Sequence, residues 1–248
     1  MAKKTFLLFL FTFISISLLA DPKTETLATK EEKPQPIQAN AADIKNTKRL
    51  KNINKKLDSI TFDHVEFEDV QILTAVKYFK TRSRESDPER NGINIILMNN
   101  SLNPDNSKWP VITINVDNIP AGKLLKLFCA STKIDMRIDP HAVVIGRKIP
   151  KYGVEPDPLS KGKFATLMLE QIDLEEASVG SVAELLTERS KELDKDKTGL
   201  KVIVDDDLDA PKLTMSLDAI PIGEIIRYIA LLADLKYDVK GDTVTLHK

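Results

Sequence analysis

The chain has 248 residues, with 36 Lys and Arg against 37 Asp and Glu and a formal net charge of −1 at neutral pH. That balance argues against a general binder of nucleic acid or another polyanion, which needs a basic excess. The one cysteine, Cys129, excludes an intramolecular disulfide and leaves no lipid-attachment cysteine behind the leader.

Lys3 and Lys4 precede an apolar run from Phe6 to Leu19, broken only by Thr12, Ser15 and Ser17, and Ala20 leads into the polar Asp21-Pro22. This is the layout of a secretory signal peptide over residues 1–20. The run is short for a membrane span, which needs about 20 residues. Cleavage is the expectation, with export to a periplasm or cell envelope as its consequence. The bulky Leu18 near the junction keeps an uncleaved N-terminal anchor as the alternative. Residues 21–42 are rich in Lys, Glu, Thr, Pro and Ala without an apolar period, and read as a disordered linker. Residues 43–58 read as a basic lead-in helix. Ile44, Leu50, Ile53 and Leu57 make a thin apolar stripe among Lys45, Lys48, Arg49, Lys51, Lys55 and Lys56. So thin a stripe suits packing on the following domain better than firm membrane binding.

The remainder is a tandem repeat. Residues 60–97 match 167–204 at a constant offset of 107, with Glu68, Arg82, Ser83, Asp87 and Gly92 meeting Glu175, Arg189, Ser190, Asp194 and Gly199. Residues 113–145 match 214–246 at an offset of 101, with Asp117, Ile119-Pro120 and Gly122 meeting Asp218, Ile220-Pro221 and Gly223. The first copy thus carries six extra residues between Leu97 and Thr113, an insertion that belongs in a surface loop. Each copy opens with a strand (Ile60 to Phe67, Leu167 to Leu174). A helix follows, with one apolar face at Ile72, Ala75, Val76 and Phe79, or at Val179, Val182, Ala183 and Leu186. Ser178 is an expected N-cap, and Gly92 and Gly199 are expected to close the helices in the left-handed conformation. The runs INIIL and LKVIV read as short buried strands. A further strand alternates through Ile112, Ile114 and Val116, or Leu213, Met215 and Leu217. Pro120 and Pro221 open a second helix, and a hairpin ends each copy. The reading is an α+β chain of two tandem small β-α-β-β-α-β-β domains, 59–148 and 162–248. Each is expected to be a small mixed sheet carrying two helices, with its own core. Residues 149–161, holding Pro150, Pro156 and Pro158, form a semi-rigid linker.

The phrase from Thr113 to Leu125, TINVDNIPAGKLL, and the longer TMSLDAIPIGEIIRYIALLADLKYDVKGDTVTL of the second copy resemble the short N-terminal domain of secretins and TonB-dependent receptors. The resemblance covers nearly all of 57–248, once per copy, and lies in core and turn residues. It implies a domain that stands in the periplasm at the entrance of an outer-membrane pore or receptor and binds partner proteins there. No barrel-forming segment is evident, so the chain is expected to make no pore alone.

Chemistry-bearing patterns are weak. Asp194, Asp196, Thr198 and Asp205 echo a calcium loop, with Gly199 at its sixth position. However, Lys201 stands where an apolar residue belongs, and a strand follows where a helix is needed. His64, His141 and His247 have no metal-ligand spacing. No nucleophile elbow, phosphate loop or dinucleotide fingerprint appears. Asp117 and Asp218 read as turn residues, and Cys129 as a small core residue. Trp109, in the insertion beside Pro110, is the one candidate binding residue, either an exposed anchor for a partner or a lid on the first core. The expectation is a non-catalytic adaptor without cofactor, metal, nucleic acid or small-molecule substrate. Its expected partners are proteins, a secretin or receptor component of an outer-membrane secretion or transport system among them, and strand addition at a sheet edge is the expected mode. Self-association into a ring or filament is the second reading, and a metal-binding sensor the third.

Overall fold

A computed structural model of the chain describes residues 41–98, 102, 109–152, 157–205 and 208–248. The expected signal peptide, nearly all of the linker and most of the insertion lie outside the described residues. The lead-in helix α1 spans Ala41–Ser59. Its Leu57 is buried and Ile53 half-buried in the first core, while Lys45, Lys48, Lys51 and Lys55 are exposed. The first copy then runs β1 (Thr61–Gln71), α2 (Ile72–Ser86), β2 (Ile95–Leu97), β3 (Val111–Pro120), α3 (Ala121–Thr132), β4 (Asp135–Ile138) and β5 (Val143–Gly146). A 3-10 turn (Pro158–Ser160) and the short α4 (Gly162–Thr166) lead into the second copy. That copy runs β6 (Met168–Ala177), α5 (Val179–Leu193), β7 (Lys201–Val204), β8 (Leu213–Pro221), α6 (Ile222–Ala233), β9 (Lys236–Lys240) and β10 (Thr243–His247). The class is α+β.

The expected single sheet per copy is corrected. Each copy holds two sheets: an antiparallel ribbon (β1–β3 or β6–β8) and a three-stranded mixed sheet in the order β2-β5-β4 or β7-β10-β9. In the mixed sheets β2 and β7 run parallel to the central strand, and the hairpin partner runs antiparallel. The first strand of each ribbon breaks register, between Phe67 and Val70 and between Leu174 and Ala177. Asp69 and Glu176 sit there at φ 49°. Such bulges bend a strand and sharpen its twist. Other left-handed residues also fall at equivalent places: Arg90 and Lys197, Asn118 and Ala219, Lys133 and Asp234.

Ser178 caps α5 by accepting from Ser181 N–H at 3.0 Å. Gly92 and Gly199 do not close the helices, which end earlier at Ser86 and Leu193. Both lie at φ 63° and donate their N–H to the helix-capping carboxylates Asp87 (2.8 Å) and Asp194 (2.9 Å). Those carboxylates also hold Lys56 (2.7 Å) and Lys163 (2.8 Å). The Lys163 ammonium and the Gly199 N–H keep Asp194 well below the usual carboxylate range. A helix-exit lock therefore occupies the position that sequence alone allowed for calcium. Among the described residues no three His, Cys, Asp or Glu side chains gather closely enough to hold a metal ion.

Each copy has its own core, as expected, but the second core draws on the first copy. Alternate residues of β2 and β5 point into different cores. Ile95, Leu97, Val143 and Ile145 belong to the first, and Ile96 and Val144, with Ala142, to the second. The β2-β5-β4 sheet is therefore buried on both faces, which explains the unbroken apolar run INIIL. The two copies form one compact unit.

Candidate functional site

Where the copies meet, two features stand out: a buried polar junction and an open groove. The junction centres on Tyr152, delivered by the linker between copies. Its hydroxyl bonds both carboxylate oxygens of Glu224, at 3.2 and 3.1 Å, and accepts from Arg227. The guanidinium of Arg227 lies 4.7 Å from the Tyr152 ring centroid and that of Arg137 lies 5.7 Å away, so two cations flank one ring. Arg227 also pairs with Asp157 and, at 3.0 Å, with Glu224. Arg137 donates twice to Asp139, which in turn accepts from Tyr228 at 3.4 Å. Glu224, Arg227, Asp157, Asp139 and Tyr228 are buried, and Tyr152 and Arg137 are half-buried. Burial, with the nearby Asp139 charge, pushes Glu224 up to about 7 against the pull of its Tyr152 hydrogen bond. Burial, with the charges of Arg49 and Arg227, drops His141 to about 3. His141 is therefore neutral, and its Nε2 has no hydrogen-bond partner among the described residues. A charge network of this kind fixes one arrangement of the two copies, since removing a member strands a buried charge.

A second tie lies on the other side. The Asn94 carboxamide donates to the carbonyl of Asp218 (2.9 Å) and accepts its N–H (2.8 Å). The Asp218 carboxylate takes Arg84 and, at 3.4 Å, Lys80 from α2. The turn role expected for this residue is thus replaced by a cross-copy anchor. Its counterpart Asp117 is exposed and bonds His64 at 2.7 Å.

Beyond Asn94 the groove opens, with a volume of about 360 Å³. Leu73, Val76, Lys77 and Lys80 of α2 form one wall, and β6 and β8 form the other through Leu174, Met215, Thr214 and Ser216. Ile95 and Leu97 of β2 lie between them. β2 is the edge of its sheet. Val143 N–H donates to Asn94 C=O and Met98 N–H donates to Ile145 C=O. In this parallel ladder Ile96 therefore turns its backbone groups to β5, while Ile95 and Leu97 turn theirs away, toward the groove. On β8 the backbone of Asp218 faces Asn94, so by strand alternation Ser216 also faces away from β6. Two strand edges with no partner strand among the described residues thus border one apolar slot.

Trp109 takes no part in either feature. It is half-buried against the first core, and the carbonyl of Pro110 beside it accepts from Ile72 N–H at 2.8 Å, fixing the start of α2. Cys129 is buried, and burial raises its thiol to about 11. Sequence reasoning missed Tyr152, Glu224, Arg227 and Asn94. The available signal was divergence between the copies: Glu224, Arg227 and Tyr228 stand where α3 has Lys123, Lys126 and Leu127. No helix among the described residues is long and apolar enough to cross a membrane. Comparison with protein-family models, curated proteins and solved structures gave no match.

Proposed function

We propose that this is an exported, non-catalytic adaptor of the cell envelope that receives an extended segment of a partner protein as an added strand in the groove between its two copies. The carrying observation is the pair of strand edges that have no partner strand among the described residues and border an apolar slot. Main-chain hydrogen bonds from β2 and β8 supply affinity in such a mode, and the apolar wall selects alternate side chains of the ligand. The compartment rests on the leader-like residues 1–20 and on the resemblance to secretin and TonB short domains, which also points to an outer-membrane secretion or transport component as partner.

The test is a crosslinking pull-down from native envelopes with the full chain as bait, read by mass spectrometry. It compares the natural protein with Ser216→Ala and Ser216→Pro. Both variants lose the hydroxyl, but only proline removes the outward N–H, which is not part of the β6–β8 ladder. Ser216→Ala is expected to keep partner capture and Ser216→Pro to reduce it at least tenfold, with matching melting temperatures. Equal capture by both variants rules out strand addition, and recovery of the bait alone rules out the adaptor.

A further inference from the structure

The chain contains a template for its own association. Inside one molecule, the outer face of the β2-β5-β4 sheet of the first copy docks on α6 and β8 of the second, burying Ile96, Ala142 and Val144 completely. Each copy possesses both halves of this interface, because the backbones repeat. Two halves remain unused. On the second copy, the matching sheet face carries Ile203, Thr243 and Thr245, all partly exposed. On the first copy, the matching helix α3 presents Lys123, Lys126 and Leu127, all exposed.

The substitutions on these unused halves are complementary. Arg137 and Arg227 both lie against the Tyr152 ring inside the chain. Their counterparts are Asp238, 79% exposed although bonded by His247 of its own copy at 3.2 Å, and Lys126, an opposite-charge pair where the chain's internal interface has two cations. Asn94 and Asp218 meet inside the chain. Their counterparts are Lys201 and Asp117, again opposite in charge, with Asp117 70% exposed. Leu127, 36% exposed, stands in place of the buried Tyr228 and supplies an apolar centre.

We infer that the partner of these two surfaces is a second copy of this chain, the β7-β10-β9 face of one molecule seated on α3 of the next as the first copy sits on the second within each molecule. The contact is head to tail, so it does not close on itself as a twofold dimer does, and it propagates into a ring or filament. Thr243 and Thr245 replace Ala142 and Val144, so the interface buries less apolar surface than its internal model and forms only at raised concentration. This inference is independent of the strand-binding groove, which uses other residues.

Cysteine pairing tests it. Lys201→Cys and Asp117→Cys, the counterparts of Asn94 and Asp218 whose carboxamide and backbone bond directly, are made separately in the full chain, because a disulfide needs close backbones. The native Cys129 is buried and raised to about 11, so it stays unreactive. Under mild oxidation each variant alone is expected to remain monomeric, their mixture to give disulfide dimers, and the double variant to give a ladder of higher species. Crosslinking of either variant with itself indicates a twofold contact and overturns the inference. Absence of any crosslink in the mixture at concentrations up to the millimolar range overturns it as well.

Discussion

Helices α3 and α6 occupy the same place in two matching backbones, yet their surroundings differ on one side. Every residue of α6 except Leu231 is buried, including Glu224, Arg227 and Tyr228. On α3 the equivalent Lys123, Lys126 and Leu127 are exposed, and only the core-facing stripe is covered. The mixed sheets show the reverse polarity. In the first copy the sheet is covered on both faces, and in the second the face of Ile203, Thr243 and Thr245 stays partly open. The lesson is that the same positions face inward in each copy, although Phe62, Phe67, Phe79 and Phe128 of the first core give way to Leu169, Leu174, Leu186 and Ile229 in the second, while a few outward positions decide whether a face is an interface. Substituting equivalent residues in both copies is therefore a direct test, since one backbone serves as control for the other.

The largest contrast is expected at Arg227 and Lys126. Arg227→Ala leaves Asp157 and Glu224 buried without their cation, and breaking a buried pair in this way costs about 3–5 kcal/mol. Lys126→Ala removes an exposed charge and is expected to change stability by less than about 0.5 kcal/mol. Urea denaturation of both variants measures the difference, and equal costs would mean that the junction does not hold the copies together. Next come Ile96→Ala and Ile203→Ala, the same strand position in each copy. Ile96 is fully buried in the second core, so its truncation is expected to cost about 2–5 kcal/mol, whereas the partly exposed Ile203 should cost about 1 kcal/mol or less.

A pH contrast follows from Glu224. Its folded-state value near 7 lies above the ordinary 4.5, so the folded protein holds this proton more tightly than the unfolded chain does. Its contribution to stability is therefore greatest at acid pH and declines as pH rises from about 4.5 to 7, by on the order of 3 kcal/mol in total. His141 works in the opposite sense. Its folded value near 3 lies below 6.5, so its contribution is full above pH 6.5 and is lost as pH falls toward 3. Between about pH 4.5 and 6.5 the two slopes oppose and largely cancel, so Glu224→Gln is expected to turn a nearly flat profile there into one that rises with pH, the His141 limb alone. Urea midpoints measured across pH 4.5–8 check this, and an unchanged profile in Glu224→Gln would remove Glu224 as the source.

Much of the fold was legible in the sequence because it rests on local periodicity. The apolar faces at Ile72, Ala75, Val76 and Phe79, and at Ile222, Ile225, Ile226 and Ile229, are buried as their spacing requires. Ser178 caps where a cap was expected. The division into two sheets was not legible, because it depends on strands far apart in sequence, β2 with β5 and β7 with β10, pairing with each other and not with the ribbon. The shared sheet was partly visible: INIIL lacks the alternation of a half-covered strand, but nothing local says that the second cover is the other copy. The junction was hidden because Tyr152, Asp139 and Arg227 are far apart in sequence and meet only after the copies dock. Trp109 attracted attention for its residue type, and its place is at the edge of the first core.

The smallest contrast concerns the starts of α2 and α5, where the copies differ by one cap. Ser178 adopts an extended conformation before α5, and its side chain satisfies Ser181 N–H. The equivalent Gln71 stands before α2 with φ −59° and ψ 139° and makes no capping bond from its side chain. An N-cap hydroxyl contributes about 1 kcal/mol by pairing one of the first helical N–H groups, which otherwise relies on water. Ser178→Ala is therefore expected to cost about 1 kcal/mol, and Gln71→Ser to gain up to about that amount. The gain should be the smaller of the two, because Gln71 also forms the last pair of its ribbon with Val111, which constrains how far the cap can adjust. Both effects lie within reach of paired urea titrations. A Gln71→Ser variant that is less stable than the natural protein would show that the ribbon, and not the missing hydroxyl, sets the start of α2.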